Sequence, residues 1–268
     1  MVEGLSESIP KADNEYIGEN GFLYCSVCHK QTEIIACVPA LGISRKVRCI
    51  CDCRKKERKA YEDKAEREER ERKRSVCFAD SNMWKWTFER DDRKNPKISE
   101  AMQNYVKKFA DFRKDGKGLL LYGTVGTGKT YLAACIANAL IDEGTYALFR
   151  TFKQIERELW NADNKSEYMK SLNRYPLIVF DDLGAERESQ YMMDIVFDII
   201  DTRYKAGLPF IVTTNLTAEQ LKKPQAVECS RIYDRVLERC HPIKVEGTSR
   251  RREKLKENFA ETQRILGL

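Results

Sequence analysis

The residues Gly123-Thr124-Val125-Gly126-Thr127-Gly128-Lys129-Thr130 fit the pattern G-x-x-x-x-G-K-[ST]. Each position has a chemical use. Glycines let the backbone wrap a polyphosphate with its N–H groups turned inward, and a following helix adds its positive end. Lys129 can reach β- and γ-phosphates, and the Thr130 hydroxyl can bind Mg²⁺. The flanks suit the motif. GLLLY before it is a buried-strand run, and YLAACIANALI after it is apolar and rich in helix formers. The spacing therefore predicts ATP and Mg²⁺ as ligands, with all eight residues in contact with the nucleotide.

A second chemical set lies downstream. Tyr175 to Asp182 reads YPLIVFDD, an apolar strand ending in two carboxylates. Asp181 sits where an acid holds the Mg²⁺ shell, and Asp182 where an acid activates water for attack on the γ-phosphate. Pro209 to Asn215 reads PFIVTTN, another buried strand, whose terminal Asn215 can hydrogen-bond the water or the γ-phosphate. RIYDRVLERC then sets Arg231, Arg235 and Arg239 along one helix face. Such a stripe is usually solvated. In an assembled ATPase one of its cations can act on a neighbour's site, worth roughly 10³–10⁵ in rate. A last strand is expected over 243–245, then a helix from Arg250 to about Ile265.

Cysteines form a third set: Cys25 and Cys28, then Cys37, then Cys49, Cys51 and Cys53. A C-x-x-C pair closed by a C-x-C pair suits tetrahedral Zn²⁺. Cys25, Cys28, Cys51 and Cys53 are the favoured ligands; Cys49 is the main rival, and Cys37 and His29 are alternatives. No general base accompanies them, so the role is structural. Such a metal could add on the order of 10 kcal/mol to the folding of a small ribbon. The alternative is reduced, buried thiols without metal.

Several elements must position these groups. The chain has 268 residues, net charge +6 and no long apolar run that would span a membrane. The start, MVEGLSESIP, lacks a signal-peptide pattern, so a cytoplasmic location is expected. Residues 1–20 show no period. Residues 54–74 carry charges of both signs at helical spacing and read as a solvated helical spacer, with a nucleic-acid or partner contact as the alternative. Phe78, Trp84, Trp86 and Phe88 read as packing at the edge of the next domain. An amphipathic helix is expected over 98–112, a strand over 146–152, two helical pieces over 152–172 and a helix over 189–204. Three parts follow: a zinc-binding region at 1–53, a charged linker at 54–76 and an ATPase domain at 77–268. Strands alternating with helices predict an α/β fold, a parallel sheet flanked by helices.

Taken together, LLLYGTVGTGKTYLAACIANAL, IVFDDLGAER, FIVTTNL, SRIYDRVLERCHPI and GTSRR resemble the AAA+ ATPase domain of helicase loaders of the DnaC/DnaI type, bacterial and phage. Those loaders share this domain with the IstB transposition helpers. The resemblance covers about residues 78–268 and extends, less specifically, to the cysteine region. It implies that Gly123, Gly126, Gly128, Lys129 and Thr130 bind phosphates and Mg²⁺, and that Asp181 holds Mg²⁺ while Asp182 polarises water. It makes Asn215 a first sensor, Arg250 a second, and Arg235 the arginine finger, with Arg231 as fallback. It also implies a replicative DNA helicase as partner, single-stranded DNA, and self-assembly on ATP, with DNA contacts after the second strand at Thr151, Phe152 and Lys153. Two departures stand out. Too few residues follow Val245 for a full helical lid, and Asp182 occupies a position more often held by the longer Glu. An IstB-type helper acting on duplex DNA with a transposase is the alternative; those helpers are associated with a helical N-terminal region lacking zinc. A small-molecule kinase and a non-hydrolysing ATP switch are the remaining alternatives.

Overall fold

A computed structural model describes residues 10–38, 42–185, 190–224 and 226–267. The chain divides into two compact units, Met1–Glu69 and Arg70–Leu268. This division falls inside the charged helix, between the linker boundaries drawn from sequence.

The first unit is built from two small hairpins. Strand β1 (Glu15–Ile17) pairs antiparallel with β2 (Leu23–Cys25), and β3 (Glu33–Val38) with β4 (Ile43–Arg48). The stretch read as periodless thus contributes a strand. The cause is electrostatic. Glu15 is buried, its carboxylate 3.0 Å from Arg48 and 3.3 Å from Arg54. Helix α1 (Asp52–Cys77) follows, and Cys77 is its one buried residue. Its exposed face carries pairs such as Arg58–Glu62 at 2.8 Å, solvated contacts that add little stability.

In the second unit α2 (Pro96–Lys107) and α3 (Phe109–Lys114) precede β5 (Gly118–Tyr122) and α4 (Lys129–Asp142). Next come β6 (Ala147–Thr151), α5 (Phe152–Trp160), α6 (Lys165–Ser171), β7 (Leu177–Leu183) and α7 (Gln190–Lys205). The unit closes with β8 (Phe210–Thr214), α8 (Ala218–Lys222), α9 (Val227–Arg239), β9 (Cys240–Lys244) and α10 (Arg250–Leu266). The five strands form a parallel sheet in the order β6-β7-β8-β5-β9. Both faces are covered, so successive strand residues alternate between two cores. Leu119, Leu121, Val179 and Ile211 meet Ile136 and Leu140 of α4 on one side. Leu120, Phe180 and Val212 meet Ile199 of α7 and Val236 of α9 on the other. Phe78 stacks on Phe149 at 5.7 Å and bridges the outer edge of β6, so it serves packing.

The elements differ from the sequence expectation at several points. The helix over 98–112 is broken at Lys108, which caps α2 with φ −107° and ψ 18°. The last strand starts at Cys240, because β9 pairs with β5 from Gly118↔Cys240 onward. Helix α8 was missed, although the Thr217–Gln220 capping box announces it. Among the described residues no helix is long and apolar enough to cross a membrane.

Candidate active site

In an open parallel sheet, ligands sit beyond the carboxyl ends of the strands. Strand β5 delivers the glycine loop there, and α4 begins at Lys129 with Gly128 as its N-cap at φ 101°. Two glycines are required twice over. A Cβ at Gly126 would lie 2.1 Å from Ser249 Oγ, and one at Gly128 would lie 2.8 Å from Arg250 Nη1. The loop thus admits both a phosphate and the start of α10. Thr127 Oγ1 donates to the Thr124 carbonyl at 3.0 Å, and Val125 is exposed. Lys129 Nζ donates to the carbonyls of Gly123 (2.9 Å) and Thr124 (2.8 Å) and to Asn215 Oδ1 (2.8 Å). Burial pushes the Lys129 pKa down, against the pull of Asp182 and Asp181.

Strand β7 brings in the acids. Its register with β8 slips between Phe180 and Leu183, and Asp182 adopts φ 65°. Asp181 is 8% exposed and accepts from Thr213 Oγ1 at 2.7 Å. Burial raises its pKa, while hydrogen bonds from Thr213 and Thr130 oppose the rise. Asn215 Nδ2 donates to Asp182 Oδ1 at 2.8 Å. Lys129, Thr130, Asp181, Asp182 and Asn215 therefore form one connected group, as expected. A hydroxyl and a carboxylate in contact are hard oxygen donors that fit Mg²⁺, which takes its remaining ligands from water and phosphate. Beside them opens a cavity of about 550 Å³, lined by Tyr122, Gly123, Thr124, Asn215, Lys244 and Gly247 among others. A larger hollow of about 690 Å³ between α7, α8 and α9 holds none of the loop residues.

The arginines separate into two places. Arg250 reaches the loop: its backbone N–H donates to the Gly126 carbonyl at 3.0 Å, and its Nη1 to the Thr127 carbonyl. Its Nε and Nη2 bind Asp92, a residue with no motif of its own in the sequence. Arg235 makes no hydrogen bond to the loop among the described residues. It pairs with Asp201 of α7 at 2.9 Å and lies over Phe197 at 4.5 Å. Arg231 covers the same ring at 4.6 Å. Of the residues suggested for DNA contact, Thr151 caps α5 and Phe152 is buried against Phe180 at 5.2 Å, which leaves Lys153 exposed.

The cysteine set also converges, within the first unit. The sulfurs of Cys25, Cys28, Cys51 and Cys53 lie within 4.8 Å of one another. Tetrahedral thiolates about 2.3 Å from zinc would stand about 3.8 Å apart, so the set fits Zn²⁺ with small adjustment. The Lys30 backbone N–H lowers the Cys28 thiol to about 7, and the Cys28 sulfur raises Cys53 to about 11. The rivals are engaged elsewhere. Cys49 donates to the Gln31 carbonyl, Cys37 accepts from Ser44, and His29 faces Tyr16.

Glycine loop, paired acids, strand-tip asparagine and sheet order define the class: an AAA+ P-loop ATP-binding domain on a parallel sheet. Within that class, the chain belongs to the IstB-like ATP-binding proteins, whose family profile matches residues 57–258. It is 28% identical over 181 residues to the replicative helicase loader DnaI of Bacillus subtilis, covering 62% of this chain and 58% of that protein. The chain thus spans little more than half of that relative's length. It is 27% identical over 173 residues to the insertion-sequence ATP-binding protein Rv3427c of Mycobacterium tuberculosis, covering 62% and 68% of the two chains. The crystal structure of DnaI superposes with TM-score 0.55 at 28% identity, over 67% of this chain and 99% of that one.

Proposed function

We propose that this chain is a Mg²⁺-dependent ATPase that binds a replicative DNA helicase and delivers it to single-stranded DNA. The observation that carries the ATPase half is the contact network Lys129–Asn215–Asp182, closed on the glycine loop. The similarity to a replicative helicase loader and the four-cysteine cluster support the other half.

The residues divide the work. Backbone N–H groups of residues 124–130 and the first turn of α4 hold the β- and γ-phosphates. Lys129 exchanges its carbonyl partners for γ-phosphate oxygens. Thr130 and Asp181 would hold Mg²⁺, which would supply positive charge to the phosphates during transfer. Asp182 accepts a proton from the attacking water. The new O–P bond forms as the bond from the γ-phosphorus to the bridging oxygen breaks, giving ADP and phosphate. Asn215 ties the water-side acid to the phosphate-side lysine. Arg250 neutralises charge from the α10 side. Arg235 serves a neighbouring copy, so ATP promotes self-assembly. Zn²⁺ on Cys25, Cys28, Cys51 and Cys53 would stiffen the unit that grips the helicase. The cytoplasm is the expected compartment.

The test is co-elution of the full chain with a bacterial replicative helicase on a sizing column, with and without ATP. A stable complex that needs residues 1–53 and loosens on addition of ATP and single-stranded DNA supports the reading. Failure to bind any replicative helicase overturns it. The insertion-sequence relative favours one second reading, an IstB-type helper on duplex DNA. ATP-dependent binding of duplex DNA together with a transposase, and no helicase complex, would select it.

A further inference from the structure

Two adjacent threonines near the end of a central, fully buried parallel strand are chemically out of place. Thr213 and Thr214 are 1% and 0% exposed. A buried hydroxyl without partners is destabilising, so each must be spoken for. Thr214 Oγ1 donates to the Leu183 carbonyl at 2.6 Å and accepts the Leu216 N–H at 3.1 Å. That is a purely backbone role, one residue past the bulge. Thr213 does something different. Its hydroxyl proton goes to Asp181 Oδ1 at 2.7 Å, and its oxygen accepts the Asp182 backbone N–H at 2.9 Å. One hydroxyl has one proton and two lone pairs, so both bonds are made together.

We propose that Thr213 is a positioning residue for both acids. It fixes the Asp181 carboxylate against Thr130, and it anchors the left-handed turn that sends the Asp182 carboxylate to Asn215. This rests on the reading of the site as a Mg²⁺-dependent ATPase. The register slip between Phe180 and Leu183 takes Asp182 out of the ladder, and Thr213 supplies the acceptor that its N–H needs. A non-glycine residue at φ 65° is strained, and this hydrogen bond offsets part of the strain. Without the hydroxyl both effects lapse at once: Asp181 keeps only its Thr130 contact, and Asp182 loses its backbone anchor. A hydroxyl that served stability alone would leave the Mg²⁺ requirement untouched.

The experiment uses the full chain, with Thr213→Val, Thr213→Ala, Thr213→Ser and Lys129→Ala. Valine keeps the branched shape and suits a strand, so the fold should persist; alanine removes the hydroxyl with no new contact. Three quantities are measured. They are turnover, the Mg²⁺ midpoint for binding a fluorescent non-hydrolysable ATP analogue, and the melting temperature. The valine and alanine variants are expected to lose about 10–100-fold in turnover and to raise the Mg²⁺ midpoint by a similar factor. Affinity for the analogue without Mg²⁺ should hold, and Thr213→Ser should recover most of both losses. The inference is overturned if Thr213→Val keeps its Mg²⁺ midpoint and turnover while Lys129→Ala has lost nucleotide binding. It is equally overturned if Thr213→Ser fails as fully as Thr213→Val, since packing would then be the cause. If the unsubstituted chain shows no Mg²⁺-dependent nucleotide binding, the ATPase reading itself falls.

Discussion

Arg250 grips Asp92 with two hydrogen bonds, Nε to Oδ2 at 2.6 Å and Nη2 to Oδ1 at 2.9 Å. Asp92 precedes α2 and Arg250 opens α10. The same junction carries Lys94 on Glu253, and Asn95 on the Glu246 carbonyl. The remaining nitrogen of Arg250 points at the Thr127 carbonyl of the glycine loop. The carboxylate therefore fixes the pose of the guanidinium beside the phosphate site.

Replacing Asp92 by Asn is expected to weaken ATP binding several-fold while changing ADP binding little. The side chains are 26% and 36% exposed, so the pair itself is worth under about 1 kcal/mol of stability. Arg250 holds the Asp92 carboxyl below its ordinary 3.8. A depressed carboxyl contributes stability above the unfolded pKa and loses it as pH falls through the folded value. Asp92→Asn should thus leave a pH–stability curve unchanged in shape from neutral pH down to about 4 and flatten it only below. Equal loss of ATP and ADP affinity would contradict this assignment.

Lys129 is buried and satisfied by two carbonyls and an amide oxygen. Lys129→Ala should leave the nucleotide-free melting temperature close to that of the unsubstituted chain, because the desolvation cost of the buried cation goes with its bonds. The stabilisation by Mg²⁺-ATP, about 2.7 kcal/mol at a hundredfold excess over Kd, should vanish. A calorimetric scan with and without Mg²⁺-ATP reads both.

Metal content of the first unit separates the rival thiol sets. Cys25→Ser or Cys51→Ser should abolish stoichiometric zinc in native mass spectra and unfold the hairpins. Cys37→Ser and Cys49→Ser should retain it. Zinc retained in Cys51→Ser and lost in Cys49→Ser would move the ligand set. Apparent zinc affinities of about 10–16 kcal/mol make the first pair of losses unmistakable.

What could be read from sequence was local. Gly123 to Thr130 fall within one turn and one helix start, so their spacing is a local pattern that the sequence displays by itself. The acids of β7 and Asn215 of β8 announce themselves by ending apolar runs. The favoured cysteines pair locally, two by two. Legibility failed where the partner is remote or the pattern breaks. Glu15 looks like a solvated acid until Arg48 and Arg54 fold over it. Asp92 has its partner 158 positions away. His241 and Pro242 interrupt the apolar pattern of β9, which tolerates them because it is an edge strand.

Arg203 is the extreme case of that illegibility. Near the end of α7 it reads as a surface charge, yet it is 1% exposed. Its guanidinium donates to the carbonyls of Leu172, Tyr175, Pro176 and Pro209, tying the starts of β7 and β8 together. Burial pulls its pKa down to about 9, so it remains a cation at neutral pH. Arg203→Leu leaves these carbonyls without a donor and should cost about 1–3 kcal/mol in denaturant unfolding. Arg203→Lys, which keeps the charge but loses the fork, should fall between. A near-neutral Arg203→Leu would mean that water replaces the guanidinium.

The proposed self-assembly is tested at Arg235. This residue is held by Asp201 and the ring of Phe197 and makes no hydrogen bond to the glycine loop among the described residues. The proposed trans role gives such an arginine a phosphate on a neighbouring copy as its target. The expected results follow from geometry. Arg235→Ala alone should be nearly inactive in hydrolysis yet bind ATP normally, a loss of about 10³-fold or more. Lys129→Ala alone should fail to bind ATP. An equimolar mixture should recover part of the activity, because a Lys129→Ala subunit can still lend its intact Arg235 to the intact loop of an Arg235→Ala neighbour. If Arg235→Ala also loses ATP affinity, or if the mixture stays silent while both variants still assemble, the cation acts within its own chain or not at all. Asp201→Asn sharpens the distinction. It frees Arg235 from its carboxylate without touching the loop, so a trans role makes hydrolysis more dependent on protein concentration. A purely structural pair would lower the melting temperature and leave that dependence as it was.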